Sequence, residues 1–419
     1  MLNRRIAAFA ASVAIAAMAC GGTATTAPAT SAPVTSAPAT VAPATVAPAT
    51  VAPATSAPQS ASAGGCTVGV SWNNFQQPRW AAHDKPNIQQ TVEAGGGTYI
   101  DKDANLSTEQ QLTDIDTLIS QGAKVLILLA QDTKAILPAV AKAKLAGIPI
   151  IAYDRLIEDP SILYITFDNV AVGKAQAAAL LTKVPTGNYV IIKGDPGDPN
   201  ASTFLPEGFK EAGIVDAQTA GKIKILNATG TNFPADYGTF TDAWKTENAQ
   251  SNMETIIDKA TSDGNKIDAI LDENDSTALG VVAAETAKGS TFAPLSGQDG
   301  DTANLNNVAL GKQYVDIWKN ANELGKAAGA AALALCAGGS MASLTLKSGL
   351  IDPTVAPTAG LTAQPFTTPG NNTVSSFILQ PTPITADNLN VVVDQKWVAK
   401  ADLCKGVDTT SATAPAACK

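Results

Sequence analysis

Five polar loops, each directly following a short aliphatic run, hold most of the residues in this chain that could do chemistry. They are Ser71–Trp80, Tyr153–Arg155, Lys193–Ser202, Asp272–Ser276 and Gly297–Asp301. With the nearby Lys319 they offer charged donors at Arg79 and Arg155, carboxylate acceptors at Asp154, Asp198 and Asp299, and carboxamides that donate and accept at Asn200 and Asn274. Trp80, Phe240, Trp244 and Trp318 are candidate stacking platforms. A small polyol presents a rim of hydroxyls, each both donor and acceptor, and an apolar C–H face, so planar multidentate groups at the edge with an aromatic ring above suit such a molecule.

The elements that must position these loops alternate. Aliphatic runs at Thr67–Val70, Val125–Leu129, Pro149–Ala152, Tyr189–Ile192, Lys224–Leu226, Ala269–Leu271 and Leu295–Ser296 are separated by helical stretches. Those stretches are Thr108–Gln121, Thr133–Leu145, Val170–Val184, Gln250–Ser262, Ser276–Ala287 and Asn322–Leu335. Alternation of this kind predicts an α/β fold of parallel sheet with helices on both faces, and such sheets bind ligands at the carboxyl ends of their strands. The bland readings are an exposed ion pair for Asp154 with Arg155, and helix caps for Asp299, Asn274 or Asp275.

The first 20 residues read as an export signal: Arg4 and Arg5, an apolar stretch over Ile6–Ala17 too short to span a bilayer, then small residues up to Cys20. The run Ala17-Met18-Ala19-Cys20-Gly21 resembles a lipobox, which makes Cys20 the expected lipidation site and places the protein outside the cytoplasm, anchored to the membrane. Residues 21–64 are almost only Ala, Thr, Pro, Ser and Val, with Val-Ala-Pro-Ala-Thr repeated from Val41, Val46 and Val51. Such a segment has nothing large to bury and is expected to be a disordered, extended tether.

The roughly 355 residues that follow exceed one small core, so two lobes are expected. A net charge of −9 and a pI near 4.7 exclude nucleic acid and anionic lipid headgroups as partners, since both require basic patches. Cys66, Cys336, Cys404 and Cys418 form an even set in an oxidising compartment, with Cys404 and Cys418 the first candidate pair. No CxxC spacing occurs and His83 is the single histidine, so neither a metal site nor a cofactor is expected, and His83 reads as a surface residue.

From about Val68 to Leu335 the chain resembles the periplasmic sugar-binding proteins of bacterial ABC importers, most nearly the xylose-binding proteins. The resemblance is carried by Ala152-Tyr-Asp-Arg-Leu-Ile157, Ile165-Thr-Phe-Asp-Asn169 with Val172-Gly173, and Pro185-Thr-Gly-Asn-Tyr189. It continues through Asn265-Lys-Ile-Asp-Ala269, Glu273-Asn-Asp-Ser-Thr-Ala278 and Leu295-Ser-Gly-Gln-Asp299. It implies two doubly wound lobes joined by a three-strand hinge, residues 65–169 with 320–349 forming the first and 170–319 with 350–419 the second. Crossings are expected near Asp168-Asn169, Gly297–Asp299 and Lys319.

The resemblance also implies ligand contacts at Arg79, Trp80, Asp154, Arg155, Asn200, Asn274, Asp299 and Lys319, with Phe240 standing where the family has a stacking Trp. Insertions around Asn232–Tyr237 leave Phe240 and Trp244 as alternatives for that role. It implies a monomeric receptor, not an enzyme, that takes a monosaccharide, D-xylose by preference, and hands it to an ABC-transporter permease. A membrane-side sensor presenting sugar to a chemoreceptor or kinase is the alternative reading. A glycoside hydrolase using Asp154, Asp198 and Asp299 is a third.

Overall fold

Runs that are aliphatic along their whole length can be buried on both faces, and Val125–Leu128 and Ile150–Tyr153 are entirely buried. They sit at the middle of a seven-stranded sheet in the computed structural model, which describes residues 65–347, 349–352, 354 and 362–419. The export signal, Cys20 and the tether lie outside the described residues. In chain order the first strands are β1 (Thr67–Trp72), β2 (Thr98–Asp103), β3 (Val125–Leu128), β4 (Ile150–Tyr153) and β5 (Leu163–Phe167). The chain then leaves for a second sheet of β6 (Gly187–Lys193), β7 (Ile223–Ile225), β8 (Thr239–Phe240), β9 (Ala269–Asp272), β10 (Ser296–Asp299) and β11 (Val315–Trp318). It returns through the helix Ala321–Cys336 to β12 (Gln364–Thr367) and β13 (Thr373–Leu379), and closes with β14 (Thr382–Ile384).

The first sheet has the order β12-β13-β5-β4-β3-β1-β2, parallel except for β12. In the second, β6 carries β7 and β8 along one side and β9 along the other. A bridge from Ile270 to Leu295 extends this sheet to the trio β10-β11-β14. Helices cover both faces of each sheet, so the doubly wound, two-lobed reading holds. Side-chain oxygens cap several of them. Ser107 accepts from the N–H of Gln110, Asp168 from Ala171 and Asn274 from Thr277, satisfying amides that would otherwise be orphaned at each N-terminus.

Two expectations about the lobes need correction. Residues 350–419 were assigned to the second lobe, but Ser375–Leu379 of β13 pair with Leu163–Phe167 of β5, in the first. The open edge of β5 needs backbone partners, and β13 supplies them with Val374, Phe377 and Leu379 turned into the core. The second correction concerns the crossings. β10 stays within the second lobe, paired to β11, so Gly297–Asp299 is no hinge. Besides Asp168-Asn169 and Lys319-Asn320, the third crossing is Gln380-Pro381, between β13 in one sheet and β14 in the other.

The Cys404–Cys418 bridge forms as read and staples the C-terminal turn. Cys66 and Cys336 form the other bridge, which ties the start of β1 to the end of the helix Ala321–Cys336. At a sequence separation of 270 it closes a loop containing the whole second lobe apart from the C-terminal segment.

Below the junction of β10 and β11 lies a cluster of carboxyl groups with no cation among them. Asp275 and Asp316 are fully buried, and Asp301 nearly so. Oδ2 of Asp275 accepts from the N–H groups of Gly300 and Asp301, but its Oδ1 and both oxygens of Asp316 have no donor. Gly297 makes room here, because a Cβ on it would lie 2.4 Å from Oδ1 of Asp275. One proton shared between Asp275 and Asp316 would satisfy both groups. Burial, and then each other's charge, pushes Asp275 well above the usual carboxylate range, while burial raises Asp316 to about 7 and Asp301 to about 8.

Two outcomes follow for stability. Replacing both Cys66 and Cys336 by Ser is expected to lower unfolding stability by about 2–4 kcal/mol in urea titrations, because the open chain regains loop entropy. For the carboxyl cluster the folded state holds protons that the unfolded chain releases near pH 4, so stability falls as pH rises from about 4 to about 8, by up to about 1.4 kcal/mol per pH unit for each retained proton. Asp316→Asn keeps a donor toward Asp275 without titrating. Its melting temperature is therefore expected to exceed that of the parent at pH 8, with the gap closing towards pH 4; a gap independent of pH would contradict the shared proton.

Candidate functional site

Arg79 follows the loop after β1 and is 1% exposed, with its guanidinium surrounded by carboxylates. Nε and Nη2 fork onto Asp84 at 3.2 and 3.0 Å, Nη2 lies 3.2 Å from Asp154, and Nη1 donates to Asp299 at 2.8 Å. Burial alone would lower the pKa of Arg79, but Asp84, Asp154 and Asp299 outweigh it and hold the cation firmly charged. Asp84 is held in turn by the hydroxyl of Tyr153 at 2.6 Å. The same guanidinium lies 4.1 Å from the ring centre of Trp80, whose indole N–H donates to Gln77 at 2.9 Å. Ring and cation are thus locked together before any ligand arrives.

Asp154 and Asp299 stand at the ends of β4 and β10, in opposite lobes, and share cations. Lys319, at the end of β11, places Nζ 3.3 Å from Asp299 and 3.6 Å from Asp154. Burial raises the pKa of Asp154, but Lys319 and then Arg79 and Arg155 overcome it, leaving the group below the ordinary range and ionised. Arg155 crosses the cleft to Asp198 at 2.8 Å and donates to the carbonyl of Ala130 at 2.9 Å. Asn200 donates to Asp154 at 3.4 Å and accepts from Asn169 at 3.0 Å. Asn274 caps a helix with its oxygen, and its nitrogen donates to Asp299 at 3.5 Å. Asp299 does not cap the helix beginning at Thr302, because its carboxylate turns to Arg79.

These residues line one polar cavity at the strand ends. Its walls include eight of the nine ligand residues read from the sequence: Arg79, Trp80, Asp154, Arg155, Asn200, Asn274, Asp299 and Lys319. Phe240, the ninth, is corrected. It ends β8 outside the cavity wall, with the ammonium of Lys193 3.7 Å from its ring centre. Trp244 takes the place in the wall instead. Ala243 and Trp244 both adopt positive φ, near 56° and 57°, and the ring then lies across Gly194. A Cβ at Gly194 would come within 2.1 Å of that ring, so only glycine permits the placement.

Asp198 also lines the cavity, as do Gln77 and Gln298, which the sequence reading passed over. Gln77 bridges the lobes by donating to the carbonyl of Ala243 at 3.3 Å. Its position in a loop rich in Asn and Gln was the one available signal. Trp318 belongs to the core, edge-on to Trp397. His83 is only half-buried, stacked on Trp397 at 3.5 Å.

Two polar atoms buried at the cavity lack a hydrogen-bonding partner: Oε1 of Gln298 and Nε1 of Trp244. Acceptors and donors both occur, as a ligand rich in hydroxyl groups requires. The wall holds Arg79, Arg155 and Lys319 against Asp154, Asp198 and Asp299, so each of its charges is already paired. Each carboxylate already faces a cation. Burial raises the pKa of Asp198, and the guanidinium of Arg155 opposes that shift.

Residues 68–340 match the periplasmic binding protein domain. The D-xylose-binding periplasmic protein of Escherichia coli is 34% identical over 288 residues, spanning 68% of this chain and 82% of that protein. That of Haemophilus influenzae is 30% identical, over 63% and 76%. Among solved structures, an ABC-transporter solute-binding protein of Clostridium phytofermentans with bound β-D-glucose superposes with a TM-score of 0.69 at 30% identity, covering 80% of this chain and 99% of that one. A carbohydrate-transporter solute-binding protein of Chloroflexus aurantiacus in complex with D-glucose gives 0.68 at 25% identity, covering 80% and 97%. With two parallel-sheet lobes closing on a polar cavity at their strand ends, this chain belongs to the periplasmic binding proteins of type I, the non-enzymatic sugar receptors of ABC importers.

Proposed function

We propose that this protein captures one neutral monosaccharide, D-xylose, between its lobes and delivers it to an ABC-transporter permease, held at the outer face of the membrane by a lipid on Cys20. The observation that carries the reading is that every charge in the cavity wall is already paired within the protein, Arg79, Arg155 and Lys319 with Asp84, Asp154, Asp198 and Asp299. An ionic ligand would leave one of these buried charges without compensation, whereas hydroxyl groups can donate to the carboxylates and accept from the cations together. Trp80 from the first lobe and Trp244 from the second supply apolar faces on opposite sides of the cleft. The D-xylose-binding relatives support the choice of D-xylose. The lobe that carries Asp154 and the lobe that carries Asp299 meet through shared cations, so closure over the sugar completes its contacts.

Thermal-shift and calorimetric titration with D-xylose, D-glucose, D-ribose and myo-inositol tests the proposal. D-Xylose is expected to bind most tightly, and at 100 times its Kd to stabilise the protein by about 2.7 kcal/mol. Binding of none of them would overturn the reading. Asp154→Ala and Trp244→Ala are each expected to weaken binding about 100-fold or more, since one strands buried donors and the other removes an aromatic wall. Phe240→Leu is expected to change affinity less than about threefold, as its ring lies outside the wall. Small-angle scattering should show compaction on adding the sugar.

A further inference from the structure

The C-terminal segment after β14 reaches the ligand site through one side chain. Trp397 donates its indole N–H to the carbonyl of Gly300 at 2.6 Å, one residue beyond Asp299. Asp299 and Gly300 both adopt positive φ, 107° and 85°, a conformation that an aspartate holds only when its surroundings impose it. Asp275 binds the N–H groups of Gly300 and Asp301 from one side, and Trp397 binds the carbonyl from the other. With both fixed, the carboxylate of Asp299 is aimed at Arg79 and Lys319.

The other face of Trp397 meets the opposite lobe. Its ring stacks on His83 at 3.5 Å and 8° between planes, and His83 is the residue before Asp84, which holds Arg79. Asn322 fixes the imidazole at 3.1 Å. The segment bearing Trp397 is fastened to the second lobe, where Asn306 donates to the carbonyls of Leu403 and Lys405, and the Cys404–Cys418 bridge closes it. The stack therefore spans the two lobes beside the Arg79–Asp299 pair, which does the same.

We propose that Trp397 is a positioning residue of the clamp: it holds the Asp299–Asp301 turn in its ligand-ready form and, through His83, keeps the lobes closed over the ligand. This rests on the sugar-receptor reading, and the two fail differently. The test uses whichever monosaccharide of the panel the parent protein binds, so a parent that binds none defeats the earlier reading, not this one.

His83→Ala removes the stack but leaves the Gly300 bond and the second lobe intact. It is expected to raise the dissociation rate in stopped-flow fluorescence about three- to tenfold with the association rate nearly unchanged, because an aromatic stack contributes on that scale. Its ligand-free melting temperature should stay close to the parent's, while ligand-free scattering shifts toward a more open form. Trp397→Phe also loses the N–H bond and is expected to weaken equilibrium binding further, about tenfold in all. Adding His83→Ala to Trp397→Phe should then cost less than it does alone. Unchanged dissociation in His83→Ala would overturn the proposal, as would additive effects of the two substitutions. A loss of affinity matched by an equal loss of ligand-free stability would reduce Trp397 to a structural role and overturn it too.

Discussion

A guanidinium removed from water must find its solvation within the protein, and Arg79 finds it in three carboxylates carried by separate parts of the chain. Asp84 lies five residues on, Asp154 at the end of β4, and Asp299 at the end of β10 in the other lobe. Because no two of these anions come from one loop, the cation can be satisfied only when the sheets are correctly built and the lobes are together. Lys319 repeats the device at the hinge, bridging Asp154 and Asp299. The receptor's closed geometry is therefore written into the electrostatics of its site. A sugar entering it exchanges hydroxyl contacts for hydration of charges that are already paired, which avoids the penalty of desolvating them anew.

Much of this was legible in the sequence because strand ends are easy to find. Continuous aliphatic runs marked β1, β3, β4, β6 and β9, and the polar residues directly after them were the ones that converge. What was not legible has physical causes. β11 carries Asp316 in a fully buried strand, and hydrophobic pattern does not reveal a strand with a carboxyl group at its centre. β2 is a partly exposed edge strand of mixed polarity, without the aliphatic run that marks an interior one. β13, with Ser375 and Ser376 at its centre, pairs with β5 across more than two hundred residues, and such distant register leaves no local trace.

Which of Phe240 and Trp244 reaches the cavity wall depends on backbone conformation, which composition does not disclose. Two successive residues in the left-handed region and a glycine at position 194 swing the tryptophan into the wall. Gln77 and Gln298 were passed over because an uncharged carboxamide in a polar loop looks like any solvated residue. Only the enclosure of the loop by the opposite lobe makes it part of the cavity wall.

The strained residues show how the site is kept. Asp154, Ala243, Trp244 and Asp299 all adopt positive φ, as does Lys396 directly before Trp397. Such backbone costs about 1–3 kcal/mol per residue and survives only where other bonds enforce it. Those bonds are present: Asp154 is gripped by the carbonyl of Ile165 and the hydroxyl of Thr166, and Ala243 by Asp195. Asp299 is secured through Asp275 and Trp397 acting on the residues beyond it. Rigid loops of this kind cannot adapt individually to a ligand, so the freedom needed to admit and release one must lie in the three crossings at Asp168-Asn169, Lys319-Asn320 and Gln380-Pro381. Preformed half-sites on rigid lobes, joined by a few movable backbone positions, make binding and closure one event.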